Sequence, residues 1–145
     1  MSKITPFLWF DGHVVEAVNY YAAIFPDAKI HVATDFMATF ELAGQQFHAL
    51  NGGPKFKFTE AISFFVKCAD QKEVDYFWNA LTANGGEESM CGWLKDKYGL
   101  SWQIIPDALM RYMSDPDRVK ADRAMTAMLQ MRKIVVADLD KAFAG

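Results

Sequence analysis

The chain has 145 residues, of which 52% are hydrophobic and 23% charged, and its formal net charge is −3. This length and composition fit one globular domain with its own core, and they differ from those of a disordered or fibrous chain. No run of Lys or Arg stands out, whereas a nucleic-acid-binding protein normally carries a basic patch for phosphate contacts. We therefore expect no nucleic-acid partner.

Targeting signals and disulfides are not predicted. The first apolar run, Pro6–Phe10, ends at Asp11 and is too short for a signal peptide or a membrane span. The two cysteines, Cys68 and Cys91, lack the spacing of a metal site and are expected to be reduced thiols. These features predict a cytoplasmic protein with no membrane partner.

The first half of the chain begins with a strand and a helix. Ile4–Phe10 is rich in strand-forming residues and ends at a turn signal. Over residues 13–25 the apolar side chains follow helical spacing, and Pro26 ends that pattern. Three strand-like runs follow, at Lys29–Ala33, Met37–Leu42 and Gln46–Leu50.

The second half has the same order of patterns. Ala61–Cys68 predicts a strand, and Asp70 is placed to cap an amphipathic helix that extends to Leu81. Trp93–Lys97 and Leu100–Ile105 predict a hairpin. From Asp107 onward, apolar side chains at helical spacing predict a helical tail.

The two halves also align with each other. Val18–Tyr21 matches Val74–Phe77, Phe7–Phe10 matches Ser63–Val66, and the segment that begins at Gly44 matches the one that begins at Gly99, which pairs His48 with Gln103. We predict an α+β fold of two βαβββ modules that form curved mixed sheets around a cleft, with a helical C-terminal tail. The predicted single domain, 1–145, contains module 1 at about 3–58, module 2 at about 59–106 and the tail at 107–145.

Several stretches carry a family resemblance: Pro6–Tyr21, Ala49–Val66, Cys91–Pro106 and Ala127–Ile134. Together they resemble the PhnB-like, 3-demethylubiquinone-9 3-methyltransferase-like branch of the vicinal oxygen chelate superfamily, which includes glyoxalase I, bleomycin-resistance proteins and dihydroxybiphenyl (extradiol) dioxygenases. The resemblance covers nearly the whole chain and implies a homodimer. Whether modules pair within one chain or between two stays open. The segment Ile30–Phe40 is shorter than the hairpin that usually connects these strands in relatives.

The methyltransferase label of that branch does not agree with the sequence. A typical S-adenosylmethionine site uses a glycine-rich loop between a parallel strand and a helix. The only comparable segment, Asn51–Pro54, precedes a predicted strand. We therefore expect no methyl transfer.

Metal-dependent relatives hold a divalent ion with His or Glu side chains from the first and last strands of each module. The resemblance places these four positions at Thr5, His48, Ala61 and Gln103. Only His48 is a good ligand, although Glu60 could supply another if the register slips. A catalytic site normally needs three protein ligands and an open position. We therefore expect no cofactor and keep a divalent metal as the alternative.

His48 is the candidate catalytic residue, because an imidazole can exchange a proton near neutral pH. The alternative is an ordinary polar residue on a sheet face. Trp102 more simply belongs to the core, since its neighbour Gln103 takes the opposite face. The candidate substrate-binding residues are His48, Gln103, Trp9, Trp93 and Asn51.

Two functions follow from these observations. The first is a binding protein that takes a small organic molecule in an aromatic-lined cleft. The second is a metal-assisted or histidine-based enzyme of the glyoxalase superfamily, of the lyase, isomerase or dioxygenase type. The expected partners are a small organic ligand and a second copy of the chain.

Overall fold

A computed structural model describes residues 2–145. It contains two compact units, one that ends at Phe58 and one that begins at Thr59. Within residues 2–145, no helix has both the length and the apolar character needed to cross a membrane.

Unit 1 is a four-stranded mixed sheet with one helix. Its elements are β1 (Phe7–Phe10), α1 (Val14–Ile24), β2 (Lys29–Ala33), β3 (Met37–Leu42) and β4 (Gln45–Asn51). The strand order is β1-β4-β3-β2, with β1 parallel to β4 and the other pairs antiparallel.

Unit 2 repeats this topology and adds the helical tail. Its sheet has the order β5-β8-β7-β6, with β5 parallel to β8 and the other pairs antiparallel. Its elements are β5 (Phe64–Cys68), α2 (Gln71–Thr82), a short 3-10 turn (Ala83–Gly85), β6 (Glu87–Glu88), β7 (Trp93–Lys95), β8 (Ser101–Pro106), α3 (Asp107–Met113), α4 (Arg118–Met128) and α5 (Val136–Ala144).

The predicted α+β fold with two βαβββ modules and a helical tail is confirmed, with local corrections. β1 and β5 begin later than the apolar runs suggest, at Phe7 and Phe64. β6 has only two residues, Glu87 and Glu88, and was missed because two exposed glutamates show no apolar alternation. Asp70 caps α2 as predicted, since its carboxylate accepts the backbone N–H of Glu73 at 2.9 Å.

Side-chain alternation gives each sheet one buried face. In unit 1, Leu8, Phe40 and Ala49 are among the buried residues, and α1 packs against β3 and β4. The neighbouring residues along each strand point to the other face, away from the helix. We call this the distal face. In unit 1 it carries Phe7, Trp9, Thr39, Glu41, His48 and Leu50, and in unit 2 it carries Phe65, Trp93, Lys95, Ser101, Gln103 and Ile105.

The tail is attached to unit 2 by both apolar and polar contacts. Ile105 packs in a buried cluster with Leu109, Ile134 and Leu139. From α2, the Gln71 side-chain amide donates to the backbone oxygen of Ile134 at 3.0 Å, and its oxygen accepts the N–H of Val136 at 2.6 Å. The tail therefore covers the end of the unit 2 distal face at which Ile105 lies.

Candidate functional site

His48 lies in the middle of β4, on the distal face of unit 1. Its partners in the neighbouring strands are Phe7 and Thr39. The imidazole ring is half-buried and tilted against the ring of Phe7, with 5.6 Å between the centroids. Phe7 is 57% exposed, so this part of the face combines an aromatic surface with a titratable ring.

Trp9 and Asn51, both predicted to bind substrate, have structural partners. The indole N–H of Trp9 donates to the backbone oxygen of Gly53 at 2.9 Å, and its ring meets that of Phe56 edge-on. The Asn51 side chain accepts the N–H of Val14 at 3.0 Å, which caps α1, and donates to the backbone oxygen of Asp35 at 2.6 Å. Both residues hold the end of β4 in place, and their substrate role stays a prediction.

Gln103 occupies the same place in unit 2. Its strand partners are Phe65 and Trp93, so an amide lies between two aromatic side chains in one row across the sheet. The amide donates from Nε2 to the hydroxyl of Ser63 at 3.0 Å. Phe65 is 50% exposed and Trp93 is half-buried. This row offers apolar surface on both sides of a hydrogen-bonding group.

Strand pairing corrects the sequence alignment of the two modules. His48 lies opposite Phe7, and Gln103 lies opposite Phe65. Phe7 is therefore equivalent to Phe65 rather than to Ser63, a shift of two residues. The sequence pattern could not detect this shift, because a change of two keeps every side chain on its own face.

The shift also changes the residues at the first-strand positions. Ser63, two residues before Phe65, contacts Gln103, and Thr5 stands in the equivalent place before Phe7. Ala61, the predicted partner of Gln103, lies in the exposed turn before β5. Glu60 forms an ion pair with Lys95. Hydrogen bonding to the Lys95 ammonium lowers the pKa of Glu60, and the same bond raises the pKa of Lys95.

A pocket of about 260 Å³ lies beside Trp93 on the same face of unit 2. Its walls come from β6, β7, β8 and the turn before β5. The lining residues are Glu60, Glu87, Glu88, Ser89, Trp93, Leu94, Lys95 and Ser101. Sequence reasoning missed this pocket because β6 was not predicted, and so its two glutamates could not be placed beside Lys95 and Ser101.

Trp102 belongs to the core, in agreement with its predicted role. It is 3% exposed and its indole N–H donates to the carboxylate of Asp96 at 2.9 Å. Asp96, also buried, accepts the backbone N–H groups of Tyr98 and Leu100 as well. This carboxylate organises the β7–β8 turn, and nothing in the sequence pattern had singled it out.

The side chains present do not fit a divalent cation. Among residues 2–145, no three His, Cys, Asp or Glu side chains come together in a group that could hold a metal ion. Next to His48 stand Phe7 and Thr39, and next to Gln103 stand Phe65 and Trp93, none of which is a common ligand.

The glycine-rich segment does not fit S-adenosylmethionine either. A Cβ atom on Gly52 would lie 2.2 Å from the Trp9 ring, so this glycine is needed for packing against the tryptophan. The next regular element after the segment is β5, which begins at Phe64, so no helix N-terminus directly follows these glycines. The structure therefore gives Gly52 a packing role, whereas Gly53 has a positive φ of 88° and open space around it.

Comparison with known proteins identifies the family. A sequence model of the family described as 3-demethylubiquinone-9 3-methyltransferase matches residues 2–105. The match ends before the tail, so Ala127–Ile134, which the sequence resemblance included, lies outside it. No curated protein matches the chain.

Solved structures agree with this family. The PhnB protein from Bacillus cereus is 33% identical, with a TM-score of 0.67, and the match covers 72% of this chain and 99% of that one. The fosfomycin resistance protein FosX from Listeria monocytogenes, solved with Mn(II) and sulfate, is 14% identical with a TM-score of 0.53, over 70% of this chain and 87% of its own.

A glyoxalase-related enzyme from Fulvimarina pelagi is 10% identical with a TM-score of 0.51, over 72% of this chain and 88% of its own. At such identities, this enzyme and FosX show a shared fold only. The chain belongs to the PhnB-like 3-demethylubiquinone-9 3-methyltransferase family and shares its fold with FosX and with the glyoxalase-related enzyme.

Proposed function

We propose that this protein binds a small organic molecule on the distal face of unit 2 and that it transfers no methyl group. The observation that carries the proposal is the row formed by Phe65, Gln103 and Trp93. Ligand sites are usually concave and apolar, with a few polar groups that fix orientation. The two aromatic side chains supply the apolar surface, and the Gln103 amide supplies a hydrogen-bonding group beside the pocket of about 260 Å³.

The proposal that this protein transfers no methyl group rests on the chain's own glycines. Gly52 is in contact with Trp9, and the backbone oxygen of Gly53 accepts the Trp9 indole N–H. A cofactor that approached this backbone would have to displace the tryptophan. We therefore propose that this segment packs against Trp9. In this proposal the methyltransferase name of the family does not describe a reaction of this protein.

A second candidate function is histidine-based catalysis. The observation in its favour is the half-buried His48 ring on the distal face of unit 1 beside Phe7, because a general base must reach its substrate. In this alternative His48 takes a proton from the substrate, and replacement by Gln abolishes turnover without loss of the fold.

The experiment combines native mass spectrometry with metal titration. Protein purified without chelators should carry an organic molecule, which Trp93→Ala should lose and Trp9→Phe should keep. Addition of zinc, nickel or manganese should leave the melting temperature unchanged, whereas a metal at a hundredfold excess over its dissociation constant stabilises a fold by about 2.7 kcal/mol. A stoichiometric metal that stabilises the protein and is lost in His48→Ala would instead support the enzyme.

We also propose that the protein is a homodimer. All five residues of β2 are exposed, and Ile30 and Val32 on this edge strand are 40% and 44% exposed. An unpaired strand edge with exposed apolar side chains is a template for pairing with another chain. Light scattering should give twice the mass of one chain at micromolar concentration, and a monomer mass would contradict the proposal.

The proposed location is the cytoplasm. Cys68 and Cys91 are both free thiols, which is the usual state in a reducing compartment. Cell fractionation should recover the protein with cytosolic markers, and recovery with secreted or membrane fractions would contradict this location.

A further inference from the structure

The pocket on the distal face of unit 2 has an excess of negative charge. Glu60 pairs with Lys95, so the one ammonium group among its lining residues is already neutralised. Glu87 is the strand partner of Lys95, and its charge also acts on the Lys95 ammonium. With Glu88 the lining still has three carboxylates and one ammonium group, so the pocket favours a cation.

Ser101 adds a second, independent observation. Its side chain is 1% exposed, it lines the pocket, and among the described residues its hydroxyl has no hydrogen-bond partner. Alternation places it on the same face as Gln103, and its strand partner is Lys95. A buried hydroxyl without a partner is unfavourable unless another group completes its hydrogen bond. The hydroxyl can accept an N–H from a bound molecule.

Trp93 supplies the third element of the site. It lines the same pocket and lies next to Gln103. A cation near a tryptophan ring is attracted by the negative face of the ring, and the indole also packs against apolar groups. Carboxylate, hydroxyl and indole together match a molecule that has an ammonium group on a small apolar body.

We propose that this pocket selects small protonated amines. The proposal rests on the proposed function and names the chemical class of its ligand: the carboxylates of the lining attract the ammonium group, the Ser101 hydroxyl accepts a hydrogen bond from the ligand, and the apolar body lies against Trp93. The volume of about 260 Å³ suits a molecule the size of benzylamine.

The test compares three probes of nearly equal shape: benzylamine, benzyl alcohol and benzoate. Binding is followed by NMR through the indole N–H signal of Trp93, which Trp93→Phe assigns among the four tryptophans. Benzylamine should bind at least about tenfold more tightly than benzyl alcohol, and benzoate should bind most weakly. High salt should reduce this preference, because it screens the carboxylates.

Two variants and one control show whether benzylamine binds in this pocket. Glu87→Gln should weaken benzylamine binding by roughly three- to tenfold and leave benzyl alcohol unaffected, and Asp27→Asn, a matched charge change in unit 1, should alter neither. Ser101→Ala should weaken benzylamine binding without lowering the melting temperature, since it removes a buried hydroxyl that has no partner in the fold.

The outcomes separate this inference from the proposed function. Equal affinity for benzylamine and benzyl alcohol would overturn the selection of amines and leave small-molecule binding in place. No perturbation of Trp93 by any probe at about 10 mM would overturn both. Tighter binding of benzylamine that Glu87→Gln does not reduce would place the amine elsewhere and overturn the assignment of this pocket.

Discussion

The side-chain amide of Gln103 donates a hydrogen bond to the hydroxyl of Ser63, at 3.0 Å. This contact joins β8 to the residue that precedes β5 and fixes which end of the amide faces the row of aromatic side chains. It also defines the true equivalence of the modules, because Thr5 stands where Ser63 stands. Gln103 is thus held in position before any ligand arrives.

The buried carboxylate of Asp96 should be essential for the stability of unit 2. It is 2% exposed and accepts hydrogen bonds from the Trp102 indole and from the backbone N–H groups of Tyr98 and Leu100. Asp96→Ala leaves these buried donors without an acceptor and should lower the free energy of unfolding by about 3 kcal/mol. Urea denaturation measures this loss. The exposed Asp27→Ala should cost less than about 0.5 kcal/mol, and equal effects of the two would contradict the assigned role.

Gly52 and Trp9 should be energetically coupled. Gly52→Ala places a methyl group where the Trp9 ring lies, with only 2.2 Å between them, and should destabilise the protein by roughly 1–3 kcal/mol. In the background of Trp9→Ala the three ring atoms nearest to that methyl group are absent, so the same change should cost much less. A double-mutant cycle in urea measures the coupling, and additive effects would show that the two residues do not share this contact.

Cys68 should make the stability depend on alkaline pH. Burial, followed by the nearby Glu73 and Asp107 carboxylates, raises the pKa of its thiol from 9.0 to about 12. The folded chain therefore keeps a proton that the unfolded chain loses, so this contribution is complete below about pH 9 and is lost as the pH rises towards 12. Denaturation at about pH 8 and about pH 10 should show a larger fall for the wild type than for Cys68→Ala. Equal falls would contradict the raised pKa.

Gln71 should control the attachment of the tail. Its amide bonds both the oxygen of Ile134 and the N–H of Val136. Gln71→Ala should speed hydrogen exchange at the Val136 amide by about fivefold, because one hydrogen bond contributes about 1 kcal/mol. Gln71→Glu keeps the acceptor for Val136 and should have a smaller effect. Unchanged exchange in the alanine variant would mean that the apolar cluster alone holds the tail.

The sequence predicts most of the fold because the periodic elements are strongly patterned. Lys29–Ala33 and Met37–Leu42 have the predicted bounds, and Asp70 caps α2 as its position suggested. Alternation along the strands also indicates that His48 and Gln103 point away from the buried face of their sheets, because each lies between buried neighbours. Whether the two residues meet in one cleft stays a prediction.

The site is less predictable because it depends on register and on a very short strand. A shift of two residues in the first strand leaves every side chain on the same face of the sheet. The sequence therefore could not distinguish Ala61 from Ser63 as the neighbour of Gln103. Glu87 carries no strand signal, and its position is set by its pairing with Lys95. The pocket therefore depends on how β6 pairs with β7, which the sequence pattern does not show.

The most direct test of the proposed function is an NMR titration of metal-free protein with benzyl alcohol, the uncharged probe. We predict that the Trp93 indole and the Gln103 side-chain amide shift together, while the indole of Trp78, 3% exposed against the other side of the sheet, does not move. If the signals of Trp93 and Gln103 move only after zinc, nickel or manganese has been added, metal-free binding at this face is contradicted.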